Sequence, residues 1–535
     1  MVRGARGSRV VSLVLVGAAL SLGVATVGCR TTKDDIDRWA NTQQGPRKLV
    51  AVLTHDKYPL ELRVDAAVTL VAMKPRGGRR VGIQGSDDQP GLIDALAGMP
   101  PAERAQIVAR IVPILEQEML RPPPPPPQVG QAPATDTSFP YKDAAFALLT
   151  HDAGALVTDD ELRKRLRAAL VGWSMADFAT RMDDASQMFG LEQVLRELKA
   201  DGVRKLPDLI QPNAKRVDRM AELIAELGDE ETRLRASQKL VDIAKAVDSE
   251  EWLKQKSPAV EGANKASKLN PTPAQFKAQL DQYQEEELLK VFSSMKKVGK
   301  KPVVDYLLGY AQDKKNAPKR RASALAALEA NLDRGNAAHA EALLKIASSN
   351  EEDDSVRDVA LRRVGELPRK VVVEKLYSLF NHGNWKVRWV AAELVLKMSD
   401  SSQLDEFMRN IGRAEGMAIS EPLRYGALIG DMKGATKPQQ LVDRYVGTGN
   451  AVQVRLSALG YYYNRGNKAD LPRVTRYAND KQRVPECKAD AQECEWKCTV
   501  TKASKQEEKE ITNVGEFVEY CVIPAMERRT AESKK

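Results

Sequence analysis

Hydrophobic positions with a helical period recur through the C-terminal half of the chain. After Val356, apolar residues follow at offsets of three, four, eight and eleven, which places them on one face of an α-helix. A shorter apolar segment precedes this helix, and a polar run at residues 350–354 separates the two. The next unit repeats the arrangement with a turn at residues 381–384. The pattern therefore predicts paired amphipathic helices.

A repeat connects these helix pairs. The second helix of each of five units carries an arginine that is followed three residues later by an alanine. These arginines step along the chain by 36, 31, 36 and 31 residues, and such a period is typical of helical solenoids. A single pair cannot bury its apolar face alone, so neighbouring units must stack. The five arginines are Arg321, Arg357, Arg388, Arg424 and Arg455.

The segment from Asp354 to Leu361 resembles a HEAT repeat, in which an acidic residue ends the turn and Val-Arg opens the second helix. The resemblance extends over residues 302–480. It implies that the repeat arginines form a structural ladder, in which each arginine ties adjacent units together through the acid of the turn. We therefore expect an all-α fold, an α-solenoid of HEAT-like helix pairs.

The rest of the chain shows weaker copies of the repeat and breaks between them. The arginine–alanine spacing recurs at Arg63, Arg165 and Arg233. An unbroken proline run at residues 122–127 indicates polyproline II or disorder, either as an inert spacer or as a docking motif. The predicted layout is a signal peptide at 1–28, a tether at 29–44, helical repeats at 45–120, a Pro-rich linker at 121–139, helical repeats at 140–249, a polar linker at 250–272, a connecting helix at 273–301, HEAT-like repeats at 302–480 and a cysteine-containing module at 481–535.

The N-terminus has the pattern of an export signal. Three arginines in the first nine residues precede an apolar run at residues 10–25, and small residues follow it. Cys29, directly after this exit, resembles the acylated cysteine of bacterial lipoprotein signals. The resemblance implies a lipid anchor at Cys29, whereas an uncleaved membrane anchor or an ordinary signal with an incidental cysteine is the alternative. Arg30 favours the outer membrane, facing the periplasm, over the inner membrane.

The remaining cysteines are Cys487, Cys494, Cys498 and Cys521, all in the last tenth of the chain. A clustered, even number of cysteines in an exported chain favours two disulfides. The spacing C-x6-C-x3-C-x22-C lacks the paired C-x2-C of zinc sites, so we expect no metal. Spacing leaves the connectivity open, and we prefer Cys487–Cys494 with Cys498–Cys521. Residues 494–500 alternate with the period of a β-strand. We therefore predict that this module is a small disulfide-bonded α+β cap on the solenoid.

Composition agrees with a helical scaffold and offers little chemistry. Apolar residues make up 43% of the chain, aromatic residues 5% and charged residues 29%. The net charge of +9 includes three arginines of the signal, and no run of five like charges occurs, so we expect no nucleic-acid partner. Four scattered histidines and the absence of a phosphate-binding glycine loop predict no catalytic residue and no cofactor.

Aromatic residues gather in the C-terminal repeats and suggest a binding surface. Eight of the thirteen tyrosines lie from Tyr377 onward. Aromatic side chains on successive units either line a concave binding face or pack the units together. We expect a membrane-anchored scaffold or adaptor for a protein or an envelope polymer; the alternative is an envelope enzyme, or a factor that assists one. The candidate binding residues are Trp385, Trp389, Tyr425 and Tyr461.

Overall fold

The computed structural model describes residues 31–125, 134–184, 187–349, 351–434, 437–486, 495–502 and 505–532. By their internal contacts, the residues separate into two units, 1–195 and 196–535. Within the described ranges, no helix is both long enough and apolar enough to span a bilayer.

The described residues of the first unit are almost all helices and the loops between them. Asp159 starts one of them because its carboxylate accepts hydrogen bonds from the backbone N–H groups of Glu161 and Leu162, at 2.8 and 3.0 Å. The helices are α1 (Lys33–Trp39), α2 (Gly45–Thr54), α3 (Leu60–Ala72), α4 (Val81–Gln84), α5 (Leu92–Ala97), α6 (Pro101–Met119), α7 (Phe139–Thr150), α8 (Asp160–Ala176) and α9 (Phe178–Asp183). Helices α6 and α7 pack against each other. The predicted linker at 121–139 therefore joins two helices of one packed unit.

The second unit begins with shorter helices, followed by three longer helices. Helix α10 (Leu191–Leu198) contains the boundary between the units. Thr272 caps the longest helix reciprocally with Gln275, as a Thr-Pro start predicts. The helices are α11 (Ala200–Val203), α12 (Leu206–Leu209), α13 (Val217–Leu227), α14 (Glu230–Val247), α15 (Glu250–Ala266) and α16 (Pro273–Val298).

Helix α15 occupies most of the segment that the sequence predicts as a polar linker. Ser249 caps this helix by accepting a hydrogen bond from the N–H of Trp252, and two glutamates follow in its first turn. The helix has few apolar residues, contains Pro258 and Gly262, and has Trp252 as its one buried side chain. One anchored aromatic residue is enough to dock the helix, and hydrophobic periodicity cannot detect such a helix.

The repeats from residue 301 onward are paired helices, as predicted. They are α17 (Lys301–Gln312) with α18 (Pro318–Ala327), α19 (Ala337–Ala347) with α20 (Asp354–Val364), α21 (Arg369–Ser378) with α22 (Trp385–Lys397), α23 (Leu404–Ile411) with α24 (Ser420–Gly430), and α25 (Pro438–Val446) with α26 (Val452–Arg465). Among first helices, α19 contacts α17 and α21, and among second helices, α18 contacts α20 while α24 contacts α22 and α26, as in the stacking of an α-solenoid. The repeat alanines that are fully buried are Ala324, Ala360, Ala391 and Ala458.

The closest crossing in the array joins α24 and α26 through glycines. A Cβ atom on Gly426 would lie 2.0 Å from the carbonyl carbon of Gly460, and a Cβ atom on Gly460 would lie 2.0 Å from the carbonyl oxygen of Pro422. Any larger residue would push the backbones apart. Ala427, the alanine of the repeat pattern in this unit, is only half-buried.

The C-terminal module is a small α+β cap, as predicted. After α27 (Leu471–Thr475), the strands β1 (Lys497–Lys502) and β2 (Lys505–Glu510) form an antiparallel hairpin in which Cys498 lies opposite Lys509. Helix α28 (Val514–Phe517), a π-helical turn (Val518–Val522) and α29 (Ile523–Glu532) follow. The π-turn and α29 pack against α26. The module therefore covers the last repeat.

Candidate functional site

Three of the predicted ladder arginines are buried and link successive elements of the array. Arg321 donates from Nε to the carbonyl of Ala311 at 2.6 Å and from both Nη atoms to Glu352 at 2.7 Å. Arg388 donates to the carbonyl of His382 at 2.8 Å and to Glu421 at 3.0 Å.

Arg455 bonds the carbonyl of Val446 at 2.9 Å and pairs with Asp480. In each case, the guanidinium fixes the turn before its own helix and also reaches an acid in a later element. Arg63 in the first unit makes the same kind of contact, to the carbonyl of Leu53 and to Glu103. This geometry holds helices together, and it leaves no arginine head exposed for a ligand.

Arg357 and Arg424 differ from these three arginines. Arg357 is buried but pairs with Asp354 of its own helix. Arg424 is 40% exposed and pairs with Glu393 of α22 at 2.7 Å. The arginine–alanine match at 424 is out of register, because the buried positions of α24 include Pro422 and Tyr425 but not the arginine.

Three of the four aromatic residues proposed for binding lie in the interior, and the fourth, Trp389, is half-buried against Trp385. Trp385 is 9% exposed, Tyr425 is fully buried and Tyr461 is 3% exposed. The rings of Trp385 and Trp389 are 6.2 Å apart, and that of Tyr425 meets Phe407 at 5.8 Å. Burial raises the pKa of Tyr425 well above its ordinary value. These residues pack the units together, which was the alternative interpretation of the pattern.

One predicted disulfide is present. Cys498 and Cys521 are bonded and connect β1 to the π-helical turn. Beside this bond, Trp496 donates from Nε1 to the carbonyl of Met417 at 3.0 Å, which joins the hairpin to the array. Cys487, Cys494 and the predicted lipid anchor Cys29 lie outside the described residues, so their predicted bonds stay predictions.

The first unit contains a buried charged cluster that the sequence analysis did not identify. Asp143 is fully buried and lies 2.6 Å from Nζ of Lys142 and 2.7 Å from Nε of Arg80. Its carboxylate also accepts hydrogen bonds from the N–H groups of Met188 and Phe189, both at 3.2 Å. The carboxylate therefore accepts two backbone hydrogen bonds and pairs with two cations, although Nε of Arg80 lies at ion-pair distance without hydrogen-bond geometry. Burial lowers the pKa of Lys142 against the opposing influence of Asp143.

Trp173 lies at the centre of this cluster. Its ring stacks on Arg181 at 4.3 Å and faces the Lys142 ammonium at 5.1 Å. Its Nε1 donates to Ser138 at 2.7 Å, and Arg181 donates to Asp136 at 2.9 Å. Since these central side chains are almost entirely buried, the cluster stabilises the unit and presents no opening to a ligand.

An open pocket in the second unit is the better candidate for a binding site. It has a volume of about 640 Å³ and lies between α14, α15, α16 and the loop that precedes α13. This size is within the ~300–1,000 Å³ that is usual for ligand sites. Its floor is apolar and aromatic, and the residues that form it are Ile243, Val247, Trp252, Tyr283 and Val291. Trp252 and Tyr283 lie with their ring centroids 5.4 Å apart, tilted by 32°.

The rim of the pocket is mostly cationic. Four cations and two carboxylates line it: Arg216, Lys256, Lys290, Lys297, Asp218 and Glu287. Lys290 pairs with Glu287 at 2.6 Å, and this hydrogen bond raises the pKa of the lysine. Lys297 pairs with Glu222, and that contact, with one from Arg219, lowers the pKa of the glutamate.

Lys256 is held differently from the other two lysines. Its ammonium lies 5.5 Å from the centroid of the Trp252 ring and donates to the side-chain carbonyl of Asn213. Within the part of the chain that the structure describes, it has no carboxylate within ion-pair distance. Asn213 and Arg216 on the same rim adopt left-handed backbone conformations with φ of 71° and 63°.

The sequence pattern predicts a linker where α15 lies and a plain connecting helix where α16 lies, so it assigns no function to this pocket. A detectable signal existed nevertheless. Ser249 followed by two glutamates and Trp252 is a helix start with an aromatic anchor, and α16 carries Tyr283 among its apolar residues. The contact between the two rings is a tertiary contact, because Trp252 and Tyr283 are 31 positions apart. A local sequence pattern cannot predict such a contact. No group of residues suited to hold a metal ion occurs within the described ranges.

Comparisons with known proteins give limited information. No family model and no curated protein matches the sequence. Among solved structures, a mutant of the karyopherin Kap121p is 12% identical, with a TM-score of 0.27 over 83% of this chain. Kap121p bound to the extreme C-terminus of the protein phosphatase Cdc14p is 13% identical, with a TM-score of 0.23 over 92% of this chain. This chain covers only 43% and 60% of those two chains. Similarity at this level identifies neither a family nor a partner.

Proposed function

We propose that this protein is a membrane-anchored lipoprotein that acts as a scaffold and binds a partner protein through the pocket between α14, α15 and α16. The observation that carries the proposal is the pocket itself, which has an aromatic floor and a cationic rim in a body of stacked helix pairs. Such a lining provides hydrophobic contact and positive charge, the two interactions that a partner segment requires.

The pocket combines accessible side chains with a lining that is provided mainly by packed helices of the second unit. The pocket keeps Tyr283 and the rim lysines Lys256, Lys290 and Lys297 at least partly exposed, so an aromatic ring and positive charges are accessible at one place. Trp and Tyr are among the residues that contribute most of the affinity in protein interfaces, and complementary charge adds specificity and speeds association. Hence we assign partner binding to residues 210–297 and a supporting role to the repeats.

Photo-crosslinking in living cells tests the scaffold proposal. We would introduce a benzophenone amino acid at Lys290, which is 68% exposed on the rim, and separately at Lys277, which is 80% exposed on α16 but does not line the pocket. We expect a specific crosslinked protein from position 290 and none from position 277. Equal crosslinking from both positions, or none from position 290, would contradict the proposal.

The membrane anchor requires its own test. We propose that acylated Cys29 holds the protein in the cell envelope, at the outer membrane facing the periplasm. The substitution Cys29→Ala should move the protein from the membrane fraction to the soluble periplasmic fraction, and globomycin should cause the precursor to accumulate. Separation of the two membranes on a sucrose gradient would then locate the wild-type protein. Unchanged membrane retention of Cys29→Ala would contradict a lipid anchor.

A further inference from the structure

We propose that the pocket between α14, α15 and α16 binds an acidic peptide segment of the partner, with a bulky apolar side chain on the aromatic floor and carboxylates on the lysine rim. This inference rests on the proposed scaffold function and names the chemistry of the partner. The floor supplies the first requirement, because Trp252 and Tyr283 form a paired aromatic surface beside Val247 and Val291. An apolar side chain placed there loses its contact with water and gains dispersion contacts with the rings.

Lys256 supplies the second requirement. Lys290 and Lys297 each have a carboxylate of this chain as a partner, whereas Lys256 contacts an amide oxygen and a tryptophan face. A lysine held beside an aromatic floor, without a carboxylate among the described residues, attracts a carboxylate from a ligand. Because the rim carries four cations and two carboxylates, its net positive charge also favours a negatively charged ligand.

The loop on the opposite rim is consistent with a binding site. Asn213 and Arg216 both hold left-handed conformations, each of which costs free energy for a residue with a side chain. Backbone strain of this kind concentrates at ligand clamps, where the surrounding structure enforces it. Here the strained loop places Asn213 against Lys256, so it orients the ammonium that would meet the carboxylate.

The shape of the pocket favours a peptide segment over a free small molecule. The lining includes Gln211 and Lys290, both exposed, so the pocket is open to solvent at these residues. Sites for free ligands bury ~70–90% of the ligand surface, and an open cleft with exposed charged ends does not. An extended segment can lay one apolar residue on the floor while its neighbours remain at the charged rim.

Fluorescence anisotropy with a defined probe tests this inference. The probe is a fluorescein-labelled heptapeptide, Glu-Asp-Glu-Phe-Glu-Asp-Glu, titrated with the full-length protein in detergent. We expect micromolar binding that weakens as salt is raised. Two control peptides, one with Ala in place of Phe and one with amides in place of all carboxylates, should each bind about tenfold more weakly, because each lacks one of the two requirements.

Variants of the protein connect the binding to the pocket. Lys256→Glu should weaken binding of the probe by about tenfold or more, whereas Lys277→Glu on the outer face of α16 should leave it unchanged. If Lys256→Glu lowers the helical circular dichroism signal, Lys290→Glu on the exposed rim replaces it, with an expected loss of about fivefold. Binding that is equal in all variants, or equal for the amide control peptide, would overturn the inference.

Two further outcomes separate this inference from the proposed function. If phenylpropionate displaces the probe at the same concentration as unlabelled peptide does, the pocket takes free organic anions and the inference is wrong. If position 290 crosslinks a partner but the acidic probe fails to bind, the scaffold function stands and the acidic-segment inference fails. Absence of the crosslink would count against the scaffold function itself.

Discussion

The two units of this protein stabilise buried charges in different ways. In the repeats of the second unit, a buried arginine meets one acid from a later element, as Arg321 meets Glu352 and Arg388 meets Glu421. In the first unit, one carboxylate, that of Asp143, serves two cations and two backbone N–H groups at once. The repeat contacts are modular, whereas the cluster is a single shared centre.

This difference has a thermodynamic consequence. Stability in a solenoid is approximately a sum of terms for each repeat and each interface between neighbours, so losing one contact affects mainly the adjacent units. In the cluster, the loss of Asp143 leaves both Lys142 and Arg80 buried without their counter-ion. An unpaired buried charge costs far more than the net value of the pair. We therefore expect damage to the cluster to be larger and to extend across its unit.

The substitution Asp143→Ala should have the largest effect. It should destabilise the first unit by roughly 3–5 kcal/mol, the usual cost of breaking a buried pair. Hydrogen exchange of the full-length protein, measured by mass spectrometry, should show loss of protection throughout α7 and α8. The matched control is Asp160→Ala, which removes an acid of α8 whose side chain is 80% exposed. Protection equal to that of this control would contradict a shared centre.

Glu421→Ala should have the next largest effect. Glu421 is 1% exposed, and its carboxylate accepts hydrogen bonds from Arg388 and from the Tyr425 hydroxyl, both at 3.0 Å. We expect a loss of about 3 kcal/mol, at the lower end of the range because Arg388 retains the carbonyl of His382. Hydrogen exchange should rise in α22, α24 and α26 while α17 to α20 remain protected.

The exposed acid Glu341, whose side chain is 75% exposed, gives the control Glu341→Ala, for which we expect no measurable change. Loss of protection through the whole array after Glu421→Ala would show that the repeats behave as one cooperative block. The contrast with the first unit would then disappear.

The sequence predicts the repeat array well and the two charged sites poorly. The helix pairs follow from apolar residues at helical spacing and from buried alanines such as Ala360, both of which are local properties. The ladder contacts of Arg388 follow from the HEAT resemblance. Arg424 instead pairs with Glu393 of α22 from a partly exposed position, because spacing alone does not fix which face of a helix a residue occupies.

The cluster and the pocket depend on contacts between distant residues. The adjacent Lys142 and Asp143 in the middle of an apolar helix were a visible anomaly, since charged residues are rarely buried without partners. Their partners come from distant segments, so the sequence did not identify them. Similarly, the polar composition of α15 predicts a linker, so the contact between Trp252 and Tyr283 in the pocket could not be predicted.

Acid should affect the two regions in opposite directions. Burial works against ionisation of Asp136, but hydrogen bonds from Ser138 and Arg181 outweigh it and lower the pKa of this carboxyl group. The stabilisation from the ionised carboxylate is therefore lost as the pH falls below the ordinary carboxyl pKa and through the lowered pKa of the folded state. Burial raises the pKa of Glu421, so the folded state takes up this proton first and gains relative stability on acidification.

Hydrogen exchange at pH 7 and pH 3, corrected for intrinsic rates, measures both effects. Between these values, the wild-type protein should lose stability around α8 relative to Asp136→Asn. It should gain stability around α22 and α24 relative to Glu421→Gln. The same sign of change in both regions would show that the two kinds of site do not differ in their electrostatics.

Arg424→Ala should have the smallest effect and tests where the ladder ends. Arg424 is 40% exposed, and its partner Glu393 keeps a second cation, Lys397, at 2.6 Å. A surface pair of this kind contributes about 0–1 kcal/mol, so hydrogen exchange in α22 and α24 should remain close to that of the wild type. If Arg424→Ala instead removes as much protection as Glu421→Ala does, exposure is a poor guide to the coupling between these repeats, and the arginine at 424 belongs to the ladder that its spacing first suggested.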